Sequence, residues 1–429
     1  MSVTALLGVQ WGDEGKGHMA DNLAAQAAIV ARFNGGDNAG HTITVGERMV
    51  RTHLVPAGAF QPHALCAMGS GMVINLRSLA REVDELNGYG ADLNPERLKI
   101  DPAAHLLLPT HVALDGAREK QRGAGALGTT QRGIGPAYTD KAARVGLRAG
   151  AIADPEAFSD ELRSHVEQTN HILTRIYDQP PLEVEAVVDE YALLAARFAP
   201  HLAAVPALVH AALERGQTVL AEGAQGALLD LDRGTYPFVT SSSPTVGGVL
   251  IGLGVGPKHV TRVIGVAKAF CSRVGAGPFP TELHDDTGSR LRGTGEKPWD
   301  EFGATTGRPR RTGWLDLVAL RYTTRINGLT DLVVTKLDIL TGFDPLRLCT
   351  AYSYRGKLMT DLPTDAATLG ECTPVYTELP GWRQDVGAAR RLDDLPPAAR
   401  AYLEQIESFT GVGVSHVSVG PDRSQVFET

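Results

Sequence analysis

An acid, a lysine and an imidazole sit in two glycine-rich turns near the start of this 429-residue chain. The first turn runs Gly8-Val9-Gln10-Trp11-Gly12-Asp13-Glu14-Gly15-Lys16-Gly17, after the apolar run Val3 to Leu7. The second runs Asn34-Gly35-Gly36-Asp37-Asn38-Ala39-Gly40-His41-Thr42, after Ile29 to Phe33. Strand, glycine turn and helix is how α/β folds turn backbone N–H groups toward phosphate. Lys16 adds a point charge for phosphate oxygens. The turn is not a regular P-loop, because six residues separate Gly8 from Gly15 and Gly17 replaces the magnesium-binding Ser or Thr. Asp13 and His41 beside such a cradle suit acid/base work. Structural roles stay open for both: Asp13 can cap the helix expected through Met19 to Ala27, and a loop histidine can be merely solvated.

Three later stretches carry ligand chemistry. Ala304-Thr305-Thr306-Gly307-Arg308-Pro309-Arg310-Arg311 gathers three guanidinium groups and two hydroxyls, and the planar guanidinium fork matches carboxylates and phosphates. Glu222-Gly223-Ala224-Gln225-Gly226 reads as a strand-end loop with a glutamine for polar ligand edges, and Thr240-Ser241-Ser242-Ser243 follows with hydroxyls. Leu332-Val333-Val334-Thr335-Lys336-Leu337-Asp338 resembles the guanine-recognition motif of GTP-binding proteins. A carboxylate only accepts, so Asp338 can take both N1–H and the 2-amino group of guanine. Adenine has no N1–H. Ser418-Val419-Gly420 could complete the base pocket.

Behind these residues, alternating apolar runs and amphipathic stretches over 1–110 predict a mainly parallel sheet with helical crossovers. Leu106-Leu107-Leu108-Pro109 reads as a buried strand ending at proline, and Gly128 to Pro136 as a polar loop leading to Lys141, Arg144 and Arg148. Phe158, Leu162, Val166, Ile172-Leu173 and Ile176 recur at helical spacing. The expectation is a single α/β domain over 1–429, with a helical subdomain at about 151–216. A formal net charge of -8 excludes a broad nucleic-acid surface. Cys66, Cys271, Cys349 and Cys372 lack metal-ligand spacing and read as reduced, buried thiols. No apolar run is long enough to span a bilayer, and the first residues lack a signal-peptide pattern. A soluble cytoplasmic protein is expected.

Taken in chain order, these motifs, with Gly133-Ile134-Gly135-Pro136-Ala137-Tyr138, resemble the adenylosuccinate synthetase family over nearly the full length. The resemblance implies a P-loop-NTPase-like fold and a magnesium-dependent homodimer that joins IMP and L-aspartate using GTP. It makes Asp13 the base for the N1 proton of IMP and, with the Gly40 carbonyl, a contact of one Mg2+ ion. His41 becomes the acid at the transferring phosphoryl group, with Lys16 and Gln225 completing the catalytic set. Gln225 would hold the purine. Asn38, Thr130, Thr240 and Arg308 would bind IMP elsewhere, and Arg144 would reach the IMP phosphate of the partner subunit. Ala304, Thr305, Thr306, Gly307, Arg308 and Arg310 would meet aspartate. Gly12, Glu14, Gly15, Lys16, Gly17, Gly40, His41, Thr42 and Arg310 would surround GTP, with Lys336, Asp338, Ser418 and Gly420 on guanine. His18, Asp37, Gln131 and Arg233 depart from the family pattern, which more often has lysine, histidine or asparagine, glycine and histidine there. Asp37 is expected to add negative charge near the phosphate cradle. The rival readings are a ligase for another purine acceptor and a non-catalytic GTP-binding protein on the same scaffold.

Overall fold

A computed structural model describes residues 2–45, 48–123, 128–303 and 307–429. Its centre is the strand Ser2–Gly8, in which Val3, Ala5, Leu6 and Leu7 are fully buried. Such a run is apolar on both faces because both faces are covered by other elements. Val3, Ala5 and Leu7 join one large apolar cluster and Leu6 joins the other, one on each side of the sheet. The central strand pairs in parallel with Thr218–Gly226 on one side and Val260–Lys268 on the other. Ile29–Arg32, Leu65–Met68 and Leu98–Ile100 extend the first side. Asp331–Thr335, Val414–Ser418 and the antiparallel edge strand Val426–Glu428 extend the second, giving nine strands. The expected mainly parallel sheet flanked by helices is therefore present.

Some local expectations change. Only His105–Leu106 is strand, and Pro109 opens the helix Pro109–Arg122 instead of ending a strand. Proline suits that first turn because its missing N–H would have had no helical partner. Ile134-Gly135-Pro136 is likewise the first turn of the helix Ile134–Ala143, not the end of a loop. Glu222 to Gly226 belongs to the strand itself, whose register against the central strand shifts between Leu6 and Gly8.

Between 154 and 216 lie the helices Pro155–Ile176, Val184–Phe198 and Val205–Glu214. Phe158, Leu162 and Val166 are buried as their spacing predicts, but Ile172 and Ile176 are exposed. The first two helices pack into one apolar cluster and Val205, Val209 and Ala212 into the other. All four cysteines are free and buried. Among the described residues, no helix is long and apolar enough to cross a membrane.

Candidate active site

Parallel strands deliver their following loops to one edge of the sheet, and ligands gather there. Gly8, Arg32, Gly226, Lys268, Thr335 and Ser418 end six neighbouring strands at that edge. Their loops surround a cleft of about 580 Å³ lined by Asp13, Lys16, Asn38, Gly40, His41, Thr42, Thr130, Gln225, Thr240, Arg310, Lys336, Asp338, Ser418 and Gly420. Residues over 400 positions apart in sequence thus share one space.

Backbone and buried side chains set the first turn. Glu14 is fully buried, and its carboxylate accepts from the N–H groups of Gln10 at 3.0 Å and Gly12 at 2.9 Å. Its other oxygen takes Lys16 Nζ at 2.5 Å. Glu14's side chain is therefore spent inside the turn. Gln10 ties the turn to the strand Val260–Lys268 through Lys268 N–H at 3.0 Å, and Thr335 Oγ1 donates to Glu14 O at 2.6 Å. The helix Lys16–Ala24 starts after Gly15, which has φ 93° and caps without a side chain. Asp13 is not its cap. A Cβ on Gly17 would lie 2.8 Å from His41 Cβ, so a Ser or Thr there would push the two turns apart.

Asp13 stands at φ 58°, a left-handed conformation that aspartate tolerates better than most residues. Its Oδ2 lies 3.0 Å from Arg310 Nε, an ion pair lacking hydrogen-bond alignment. His41 is buried, and its Nδ1 pairs closely with Glu222 Oε1. Glu222 Oε2 accepts from Ala57 N–H at 2.8 Å, and Arg32 Nη1 stands 3.7 Å from Oε1. A carboxylate behind one ring nitrogen fixes tautomer and orientation, leaving Nε2 as the nitrogen that can meet a ligand. Burial pushes the His41 pKa down, as does Arg32, while the Glu222 hydrogen bond and charge oppose them. Bringing phosphate to this imidazole would favour its protonated form.

Lys336 has φ 59° and turns the chain out of the strand Asp331–Thr335 into the short turn that carries Asp338. Burial raises the Asp338 carboxyl, opposed by Lys336. Lys336 Nζ donates to Trp299 O at 2.8 Å and pairs closely with Glu301. Glu301 also accepts from Lys268 Nζ at 2.7 Å and Arg310 Nη1 at 2.8 Å. Burial works against that charge, but Lys268, Lys336 and Arg310 outweigh it and hold the carboxyl well below its usual range.

Gln225, at φ 60°, lies within 3.4 Å of Asn34, Asn38 and Ser242 side chains, all weak contacts that a purine could replace. Thr240 Oγ1 is buried and has no hydrogen-bond partner among the described residues. Ala304, Thr305 and Thr306 lie outside the described residues. Gly307 and Arg308 are exposed and do not line the cleft. Arg144, exposed and left-handed at the end of Ile134–Ala143, does not line it either. Asp37 does not line the cleft. It is buried against Asn75 Nδ2 at 3.2 Å and Ser78 Oγ at 2.7 Å, beside the helix Leu76–Gly88. Arg233 does not line the cleft either, whereas His18 does. Sequence spacing does not single out Glu222, Arg32, Glu301 and Lys268. Their partners come from strands and loops far away in the chain.

Two places offer metal-ligand atoms. Asp13 and Gly40 bring a carboxylate and a carbonyl to the same cleft, hard oxygen donors of the kind magnesium takes. Separately, His111, Asp140 and His165 place three potential ligand atoms within 4.8 Å of one another, a group that could hold a metal ion. Two imidazoles and a carboxylate suit softer divalent ions better than magnesium. His111 Nδ1 accepts from Leu108 N–H at 2.9 Å, so its proton belongs on Nε2, 3.0 Å from Asp140 Oδ2. An ion there would have to displace that proton.

A sequence model of the family described as adenylosuccinate synthetase matches residues 5–427. An adenylosuccinate synthetase from Moorella thermoacetica is 52% identical over 425 residues, covering 99% of this chain and 98% of the relative. One from Oceanobacillus iheyensis is 46% identical, with the same coverage. Among solved structures, the fully ligated adenylosuccinate synthetase from Plasmodium falciparum aligns with TM-score 0.93 at 37% identity, covering 100% of this chain and 99% of that one. A cyanophage S-2L succinoaminodeoxyadenylate synthetase bound to dGMP and dATP shares the fold, with TM-score 0.60 at 18% identity. Two glycine-rich turns and a Thr-Lys-Leu-Asp strand end around one cleft, with a match over residues 5–427, lead to one assignment: the chain belongs to the adenylosuccinate synthetase family.

Proposed function

We propose that Asp13 and His41 perform the proton chemistry of this ligase, which joins IMP and L-aspartate to adenylosuccinate with release of GDP and phosphate. The 6-oxygen of IMP is a poor nucleophile while N1 keeps its proton. Asp13 takes that proton, and O6 then attacks the γ-phosphorus of GTP as the bond to the β,γ-bridging oxygen breaks. His41, oriented by Glu222, hydrogen-bonds the transferring group from Nε2, and Lys16 balances its charge. The resulting 6-phosphoryl group makes C6 open to the aspartate amine, which displaces phosphate. Asp13 and the Gly40 carbonyl would hold Mg2+, which when bound neutralises phosphate charge.

Gln225, Asn38, Thr130 and Thr240 hold IMP in this reading. The loop from 304 to 310 takes the aspartate carboxylates, and Lys336, Asp338, Ser418 and Gly420 take guanine. Arg310 must leave Asp13 before the base can act. A homodimer in which Arg144 serves the partner's IMP phosphate fits its exposure and its absence from the lining of its own cleft. The single observation that carries this reading is that Asp13, His41, Lys16 and Asp338 line one cleft. Phosphate release from GTP should require IMP and L-aspartate together. Release at the full rate with either one omitted would overturn this order of chemical steps.

A further inference from the structure

Glu301 is 1% exposed, yet its two oxygens collect three cations from three parts of the chain. Lys268 ends a central strand, Lys336 leads into the turn of Asp338, and Arg310 leaves the loop that begins just after Glu301. The backbone around Glu301 is pinned as well. Its N–H donates to Arg292 O at 2.7 Å, and its carbonyl accepts from Arg310 N–H at 2.9 Å. Phe302 bridges to Pro309, and Gly303 N–H donates to Arg308 O at 2.8 Å, so residues 302–303 and 308–309 are paired directly after Glu301. Three cations this close repel one another, and only a buried carboxylate among them makes the arrangement favourable.

We propose that Glu301 is a positioning residue that ties the guanine arm, Lys336, to the base of the 302–309 loop, so that GTP and aspartate binding are set by one buried carboxylate. This rests on the proposed function, in which Lys336 meets guanine and that loop meets aspartate. With Glu301 neutral, Lys336 and Arg310 lose their common anchor and turn toward water. Lys336 then no longer lies ready beside Asp338, and the loop loses the side-chain bond that fixes where Arg310 leaves it. Gln225 and Thr240, at the IMP end of the cleft, make no hydrogen bond to these groups among the described residues. Asp13 pairs with them through Arg310 alone, so a disturbance there is read in kcat and not in the KM for IMP.

Steady-state kinetics on Glu301→Gln test this. The KM values for GTP and for L-aspartate should both rise about tenfold or more, while the KM for IMP stays within about threefold. A general structural role would instead lower the melting temperature and raise all three KM values together. Glu301→Asp keeps the charge but withdraws it by one methylene, so it should give a smaller rise in the same two constants. It is the variant to read if Glu301→Gln does not fold. Combining Glu301→Gln with Lys336→Met should add little to the GTP effect of Lys336→Met alone, because both act through one side chain. A rise in only one of the two KM values, or fully additive GTP effects, overturns the proposal. If Lys336→Met and Asp338→Asn leave the GTP KM unchanged, the guanine assignment has failed, and the link proposed for Glu301 falls with it.

Discussion

Asp338 sits half-buried in the lining of the cleft, where burial raises its carboxyl and Lys336 counters that rise. Its carboxylate can accept from both N1–H and the 2-amino group of guanine, whereas an amide would turn a donor toward the 2-amino position. Losing such a charge-assisted pair costs about 1.5–3 kcal/mol, so Asp338→Asn should raise the KM for GTP about 10- to 100-fold. Xanthine has a carbonyl at that ring position, to which the amide can donate, so XTP should improve where GTP worsens. Kinetics with both nucleotides check this; unchanged GTP use and no gain with XTP would make Asp338 a turn residue only. Nearer the chemistry, Asp13→Asn and His41→Asn should each slow turnover by about 10²-fold or more, with nucleotide binding, read by calorimetry, largely intact. Among the described residues eight non-glycine positions have positive φ, and five of them (Asp13, Gln131, Arg144, Gln225 and Lys336) stand out in the sequence as well. Such strain gathers where function needs a particular side-chain direction. Glu222 and Glu301 escape a sequence reading because a buried carboxylate announces itself only through partners that folding brings near. Glu222 stands inside a recognisable motif, but nothing in its spacing points to His41.

Helices Pro109–Arg122, Ile134–Ala143 and Pro155–Ile176 meet through His111, Asp140 and His165. The same unit holds the chain around Thr130. Asp115 accepts from Gly133 N–H at 2.9 Å and from Thr129 Oγ1 at 3.0 Å. From sequence this stretch reads as a loop throughout, because glycines and polar residues hide a helix whose first turn is capped by a left-handed Gly133. Gln131 shows the backbone's demand directly: it has φ 53°, a conformation that glycine takes without steric cost. Gln131→Gly should remove a left-handed strain of about 1 kcal/mol, although the freer unfolded chain returns part of it. The melting temperature should therefore stay level or rise slightly, and a clear fall would show that the side chain has a contact of its own. Protons act on the same helices. Burial lowers His165 to about 4, helped by His111, and lowers His105 to about 4, helped by Lys141. Unfolded histidine titrates near 6.5, so between about pH 6.5 and 4 the unfolded chain binds more protons. Stability present above that window is lost as pH falls through it, at up to about 1.4 kcal/mol per pH unit for each histidine. Urea unfolding at pH 7 and pH 5 should show the fall, with a shallower slope for His165→Gln. Equal slopes would mean that His165 takes up its proton alike in the folded and the unfolded chain.

At the scale of the whole molecule, the nine-stranded sheet was legible because parallel strands buried on both faces read as unbroken apolar runs. Much of the cleft's lining was legible as motifs, because loops that follow six of those strands carry them to one edge of the sheet. Arg144 stands apart from both. It ends its helix in a left-handed conformation, exposed beside the exposed Val145, and does not line its own cleft. If it completes the partner's site, each active site of a dimer draws Asp13 from one chain and Arg144 from the other. Arg144→Leu and Asp13→Ala homodimers should then each be nearly inactive, for different reasons. Mixed and allowed to exchange subunits, they form hybrid dimers with one site lacking both groups and one site keeping both. With random exchange, about half of the dimers are hybrids carrying one good site, so activity should recover to about a quarter of the wild-type value. Differently tagged subunits report the exchange independently of activity. Mixtures that exchange and stay inactive would place Arg144's action within its own chain, and the ligase would then need no partner to read the IMP phosphate.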